Sequence, residues 1–156
     1  MNDNPFNRTV CACKDCVACC KRQPGSLIAG DFERIVDWFM KTQNWSREIA
    51  LSHVKKQLWA SPGAMVKNAL TGEVRRVGTI TPRWDRRRKC CVFLDENDRC
   101  TIHEVAPFGC AYVDTHMNRA TAHERSLYGV TNQEQPDYQA LRNQLPYATH
   151  HKPFHY

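Results

Sequence analysis

Nine cysteines in 156 residues constrain this chain more than any other feature, and their placement says more than their number. Cys11, Cys13, Cys16, Cys19 and Cys20 fall within ten residues; Cys90, Cys91, Cys100 and Cys110 follow after a gap of about seventy. An odd count rules out complete disulfide pairing within one chain, and a reducing cytosol disfavours disulfides in any case. Scattered buried thiols, the ordinary fate of free cysteine, would not bunch in this way. The pattern points to thiolates gathered on a metal ion or an iron–sulfur cluster.

Spacing narrows the chemistry. In Cys13-x2-Cys16-x2-Cys19-Cys20, a tight turn can aim successive thiolates at one centre while spare backbone amides face the sulfurs. The run C-x2-C-x2-C opens the bacterial ferredoxin arrangement, and counting from Cys11 gives the plant-type C-x4-C-x2-C; each needs a remote further ligand. The remainder of neither ferredoxin pattern is present. Zinc usually takes its four ligands as two close pairs, whereas Cys91, Cys100 and Cys110 are spaced C-x8-C-x9-C. Spacing thus favours an iron–sulfur cluster and leaves zinc or iron open. The adjacent pairs Cys19-Cys20 and Cys90-Cys91 cannot easily place both sulfurs on one tetrahedral ion, so one member of each is expected to serve a second metal or a supporting bond.

The rest of the chain frames this centre. Asp31 is placed to cap a helix over Phe32–Lys41, with Phe32, Ile35, Val36 and Phe39 on one face. Ser46 caps a second helix over Arg47–Trp59, ended by Ser61-Pro62-Gly63. Met65-Val66 and Val74–Ile80 flank Thr71-Gly72 as a hairpin, and Cys91–Leu94 with Cys100–Ile102 reads as another. Helices are predicted over Asn118–Tyr128 and Asp137–Leu145. The expected fold is mainly α with one or two small β-hairpins (α+β). It forms a single domain over residues 1–145 around a cysteine-ligated metal centre, and a flexible tail rich in His and aromatics follows over 146–156. Hydrophobic residues make up 42% of the chain and mean hydropathy is −0.61, so the core is modest. No apolar run is long enough for a transmembrane helix, and the first ten residues lack the apolar stretch of a secretory signal. A cytoplasmic protein without a membrane partner is expected. Glycine-rich phosphate loops, GxSxG and HExxH are absent, which removes the common nucleotide-binding and hydrolase signatures.

Three segments together resemble a known family. CxxCxxCC, GSLIAGDFERIVDWF and CVFLDENDRCTIHEVAPFGC are similar to the YkgJ-type cysteine-cluster family of zinc- or iron-chelating domains. The resemblance implies that Cys13, Cys16, Cys19, Cys20, Cys91, Cys100 and Cys110 are metal ligands, and it sets Asp31 at the acidic start of the family's first helix. The family's Tyr is His103 here and its Arg is Ala106, while Pro107 is retained. Ala111 stands where the family has Arg after the last cysteine. The family's eighth cysteine has no counterpart beyond Cys110; Cys11, Cys90 or His116 could fill the place. His103, three residues after Cys100, is a further candidate, as a ligand or as a partner to a sulfur. One branch of the family is similar to flagellin lysine N-methylase, which uses S-adenosylmethionine.

Outside the cysteines, the strongest local signal is the basic stretch Arg83, Trp84, Asp85, Arg86, Arg87, Arg88 and Lys89, with five cations against one carboxylate. Cations beside an aromatic suit phosphate contact with a base stacked on the ring; a solvated loop is the ordinary alternative. Two functions follow. One is a redox or group-transfer component of a modification pathway, carrying an iron–sulfur cluster or a Zn(II) or Fe centre and acting on a protein or small molecule. The other is a structural-zinc module that binds nucleic acid through residues 83–89.

Overall fold

The computed structural model of the protein describes residues 4–9, 18–68, 70–114, 116–148 and 154–155. Helical spacing puts Phe32, Ile35, Val36 and Phe39 on one stripe, and all four are buried on helix α2 (Asp31–Gln43), which follows the short α1 (Ala18–Arg22). Asp31 does not cap α2. Gly30 holds the N-cap position in a left-handed conformation, and Asp31 is the first helical residue, with its carboxylate turned back toward the preceding loop. Ser46 does cap α3 (Arg47–Lys56), its Oγ accepting from the Ile49 amide at 3.3 Å.

That helix stops three residues before the expected Trp59. Leu58 and Trp59 instead begin strand β1 (Leu58–Lys67), paired antiparallel with β2 (Val74–Pro82). Leu58, Trp59, Ala60 and Ser61 are all buried, so both faces of this stretch are covered, a demand that one helical stripe cannot meet. The Trp59 indole donates to Thr81 Oγ1 across the pair at 3.0 Å. Ser61-Pro62-Gly63 is not a helix terminator but a bulge within β1, where the register shifts between Ser61 and Ala64. Gly63 has φ +79°, and a Cβ there would strike the Val77 carbonyl oxygen.

The basic stretch closes a tight hairpin between β3 (Trp84–Asp85) and β4 (Cys90–Cys91). The second expected hairpin survives as one bridge, Leu94 to Cys100, supported by Thr101 N–H donating to the Phe93 carbonyl at 2.8 Å. A 3-10 turn (His103–Val105) and the single-turn α4 (Phe108–Ala111) lead to α5 (Arg119–Gln133) and α6 (Pro136–Asn143). Asn118 caps α5 by accepting from Thr121, and Pro136 opens α6, where its missing N–H costs nothing. Pro146 and Ala148 bond to Ala60, and β5 (Phe154–His155) runs parallel to β1. The result is an α+β architecture of six helices and two antiparallel hairpins among the described residues. No helix among them is long and apolar enough to cross a membrane.

The core joins α2, α3 and both hairpins through Leu27, Ile35, Val54, Leu58, Ile80, Phe93 and Ile102, with Cys91 inside the same cluster. A buried polar clamp holds the loop before α2 onto the sheet. Leu27 N–H donates to the Ile80 carbonyl; the Tyr138 hydroxyl accepts from Ile80 N–H and donates to the Leu27 carbonyl. Gln133 adds donations to Ser26 Oγ and the Leu27 carbonyl.

Candidate metal centre

Helix α1 carries Cys20 against β4, and Lys21 pairs with Asp98 at 2.8 Å on the outside of that contact. Cys20 and Cys100 are half-buried and pack on the core, whereas Cys91 is buried within it. Cys100 reaches this region through the Leu94 bridge, and Cys110 arrives on α4. Neighbouring thiols oppose the ionisation of Cys91 and Cys110. Burial pushes Cys91 up to about 12, and the neighbouring Cys20, Cys100 and Cys90 add to the rise. Cys110 is pushed well up by burial, then by Cys91, Cys20 and Cys100, with partial relief from the Gly25 amide. Cys100 is raised by burial while the Arg8 guanidinium pulls it down. Such a set resists ionising without a cation and would be relieved by one. Soft thiolates suit zinc, iron and iron–sulfur clusters.

The four thiols come from four separate backbone pieces, and local contacts hold each piece. Gly25 N–H donates to Cys110 Sγ at 3.2 Å, where residues 25–26 cross over Gly109–Cys110. A Cβ on Gly25 would lie 2.2 Å from the Gly109 carbonyl carbon, so the crossing admits no side chain there. Asp31 Oδ2 accepts from Ile28 N–H and from Phe108 N–H, both at 2.9 Å. Arg34 bridges Asp31 Oδ1 and the Ala106 carbonyl. Burial dominates at Asp31 and raises its carboxyl to about 6, against the pull of Arg34 and the two amides.

The stretch before the first cysteine cluster is tied to the same region. Thr9 N–H donates to the Ala111 carbonyl at 2.8 Å, and Arg8 donates to the carbonyls of His103 and Glu104. Arg125 holds the Asn7 and Tyr112 carbonyls and lies over the Phe6 ring. Thr9 is thus bonded next to Cys110, and α1 packs against the strand that carries Cys91. Cys11, Cys13 and Cys16 lie outside the described residues, as does the side chain of Cys19. Among the described residues, no group of three His, Cys, Asp or Glu side chains is arranged to hold a metal ion.

The remaining candidates sit further out. Cys90 is buried beside Cys91, but adjacent strand residues face opposite ways. His103 is exposed; burial of its ring and the nearby Arg8 lower its pKa, and its own carbonyl accepts from Arg8. His116 is exposed. In the basic hairpin, Trp84 is half-buried opposite Cys91. Arg83 donates to the Lys56 carbonyl and lies over Trp59. Arg88 pairs with Asp85 and donates to the carbonyls of Val92 and Leu94. Arg86, Arg87 and Lys89 are exposed. Sequence reasoning missed Gly25, Gly109 and Arg8, and it misread the task of Asp31. The only available signal was a glycine next to a motif cysteine, at Gly109.

A family model, CxxCxxCC, described as "Putative zinc- or iron-chelating domain", matches residues 12–129, more than half of the chain. No curated protein and no solved structure shows significant similarity.

Proposed function

This chain belongs to the CxxCxxCC family of zinc- or iron-chelating domains, and from that premise we propose a thiolate metal centre shared by its two cysteine groups. Cys13, Cys16, Cys19 and Cys20 supply one side, and Cys91, Cys100 and Cys110 the other. The observation that carries the reading is that thiols distant in sequence share one region: Cys20 on α1 packs against the strand of Cys91, Cys20 and Cys100 raise the Cys91 thiol, and Cys91, Cys20 and Cys100 raise that of Cys110. The spacing C-x2-C-x2-C in the first group, which opens the bacterial ferredoxin arrangement, favours an iron–sulfur cluster. When bound, such a cluster supplies electron transfer. Around it, the Gly25 amide faces the Cys110 sulfur, and Arg8 places positive charge beside Cys100. Both help to hold thiolate charge. The protein then acts in the cytoplasm as a redox or group-transfer component of a modification pathway, on a protein or small-molecule substrate.

Anaerobic purification followed by iron, sulfide and zinc analysis tests this directly. Iron and sulfide together, with a visible charge-transfer band that bleaches on reduction, are expected. Colourless protein with stoichiometric zinc would favour the structural-zinc, nucleic-acid-binding reading, for which the exposed Arg86, Arg87 and Lys89 are the supporting observation. Protein that takes up neither metal overturns both.

A further inference from the structure

We propose that the Gly25–Gly109 crossing is the fixed seat of the Cys110 ligand, in which the Gly25 amide donates to the Cys110 sulfur of the loaded protein and Asp31 locks the crossing segments together. The inference rests on the reading that Cys110 binds the metal, and it adds three positioning residues that the cysteine pattern does not contain.

Two backbones touch here without an intervening side chain. A Cβ on Gly25 would meet the Gly109 carbonyl carbon at 2.2 Å and the Cys110 nitrogen at 2.4 Å; one on Gly109 would meet Ser26 N at 2.5 Å. Contact this close brings the Gly25 N–H to 3.2 Å from Cys110 Sγ, and Gly109 N–H donates in return to the Ser26 carbonyl at 2.9 Å. The two bonds run in opposite senses across the crossing, so sliding either segment breaks one of them.

Asp31 adds a third tie. Its Oδ2 accepts one amide from each segment, Ile28 from the first and Phe108 from the second. Arg34 braces that carboxylate and also reaches the Ala106 carbonyl. Beyond the crossing, Leu27 is bonded to Ile80 and Tyr138 in the core. Cys110 is therefore aimed by a frame that does not depend on the metal. An amide dipole directed at a ligand sulfur stabilises the thiolate, as outer partners of metal ligands do.

The test uses the full chain loaded with a spin-active cadmium isotope alone. In the wild type, both the Cys110 β-protons and the Gly25 amide proton are expected to show scalar coupling to the same cadmium nucleus. Coupling at Cys110 without coupling at Gly25 overturns the inference and leaves the centre standing. Absence of coupling at Cys110 overturns the underlying reading and the inference with it. A second arm measures metal transfer to a chelator. Gly109→Ala and Asp31→Ala should weaken cadmium binding by about 10- to 100-fold. Gly129→Ala, which packs a methyl near the Phe108 ring at an ordinary 3.6 Å, should stay within about twofold of wild type. Equal affinities for all four proteins would refute the positioning role. Should Gly109→Ala fail to fold, the coupling measurement on the wild type still decides.

Discussion

Adjacent residues on a strand face opposite sides, so Cys90-Cys91 divides its thiols between two environments. Cys91 lies in the core cluster and is opposed by Cys20 and Cys100, while Cys110 is opposed by Cys91, Cys20 and Cys100 but not by Cys90. Cys91→Ser should therefore remove most of the bound metal. Cys90→Ser should keep most of it and cost about 1–2 kcal/mol of stability for a buried hydroxyl. Metal analysis alongside urea unfolding checks the pair, and equal metal loss would reverse the ranking. Asp31 gives a pH signature. Its folded pKa of about 6 stands above the ordinary 3.8, so the folded state binds the proton more tightly. That contribution is fully present below the unfolded value and is lost as pH rises through about 6. The charged and titratable groups around it are Arg34, which lowers its pKa, and Tyr138, which senses its charge. Relative to Asp31→Asn at matched metal content, the wild type should gain up to about 3 kcal/mol between pH 7.5 and pH 4. Parallel urea midpoints across that range would count against it. At this scale the grouping of the cysteines was legible, because it is written in the sequence itself. The role of Asp31 was not, since its second partner, Phe108, lies 77 residues away.

At the scale of elements, local signals predicted what local forces build. Ser46 caps its helix as expected, Asn118 stands just outside α5 as its cap instead of opening it, and the α2 stripe is buried as its spacing demands. Leu58 continues a four-residue spacing from Ala50 and Val54, yet it belongs to β1, because pairing with Pro82 and burial on both faces outweigh a helical repeat. No window of the sequence contains that partner. The basic hairpin shows the same limit in charge: seven residues that look uniform divide by task. Arg88 ties Asp85 to the carbonyls of Val92 and Leu94, just after Cys91, whereas Arg86 and Arg87 are exposed. With its side chain 39% exposed, Arg88→Ala should cost about 1 kcal/mol by urea unfolding. The double change Arg86→Ala/Arg87→Ala should stay within about 0.5 kcal/mol. A larger loss from the double change would show that the hairpin tip is held by contacts other than those of Arg88. On α5, Gly129 is buried with ordinary room for a methyl. Gly129→Ala should raise stability by up to about 1 kcal/mol, the usual helix-interior difference, and thermal unfolding reads it directly.

For the molecule as a whole, the question is whether the metal sits within the first cysteine group or joins it to the second. Cys11 to Cys20 holds enough thiols for a four-ligand site, so a self-contained N-terminal centre is a serious rival. On sequence grounds, adjacent Cys19-Cys20 would aim their thiols apart and Cys11-Ala12-Cys13 is too close-spaced for both flanks to reach one ion, so such a site would be strained. The described contacts favour joining. Thr9 is bonded to Ala111, Arg8 to His103 and Glu104, Lys21 to Asp98, and Gly25 to Cys110. Thr9 and α1 are thus held beside the stretches that carry Cys110 and Cys91. Residues 93–112 have little regular structure of their own, only one bridge, a 3-10 turn and a single helical turn. A ligand set drawing on both groups cross-links that stretch to α1, and binding energy at such a site becomes folding energy. Removing metal from the full chain with a chelator should therefore accelerate amide hydrogen exchange at Thr101 and Val105 as well as in α1, while Gly109, held by its bond to Ser26 in the crossing, changes little. The antiparallel pairing of β1 with β2, built on its own hydrogen bonds, should change least. A peptide of residues 1–30 should likewise bind metal far more weakly than the whole chain. If chelation alters exchange only in α1, and the peptide rebuilds the same centre with comparable affinity, the metal belongs to the first group alone.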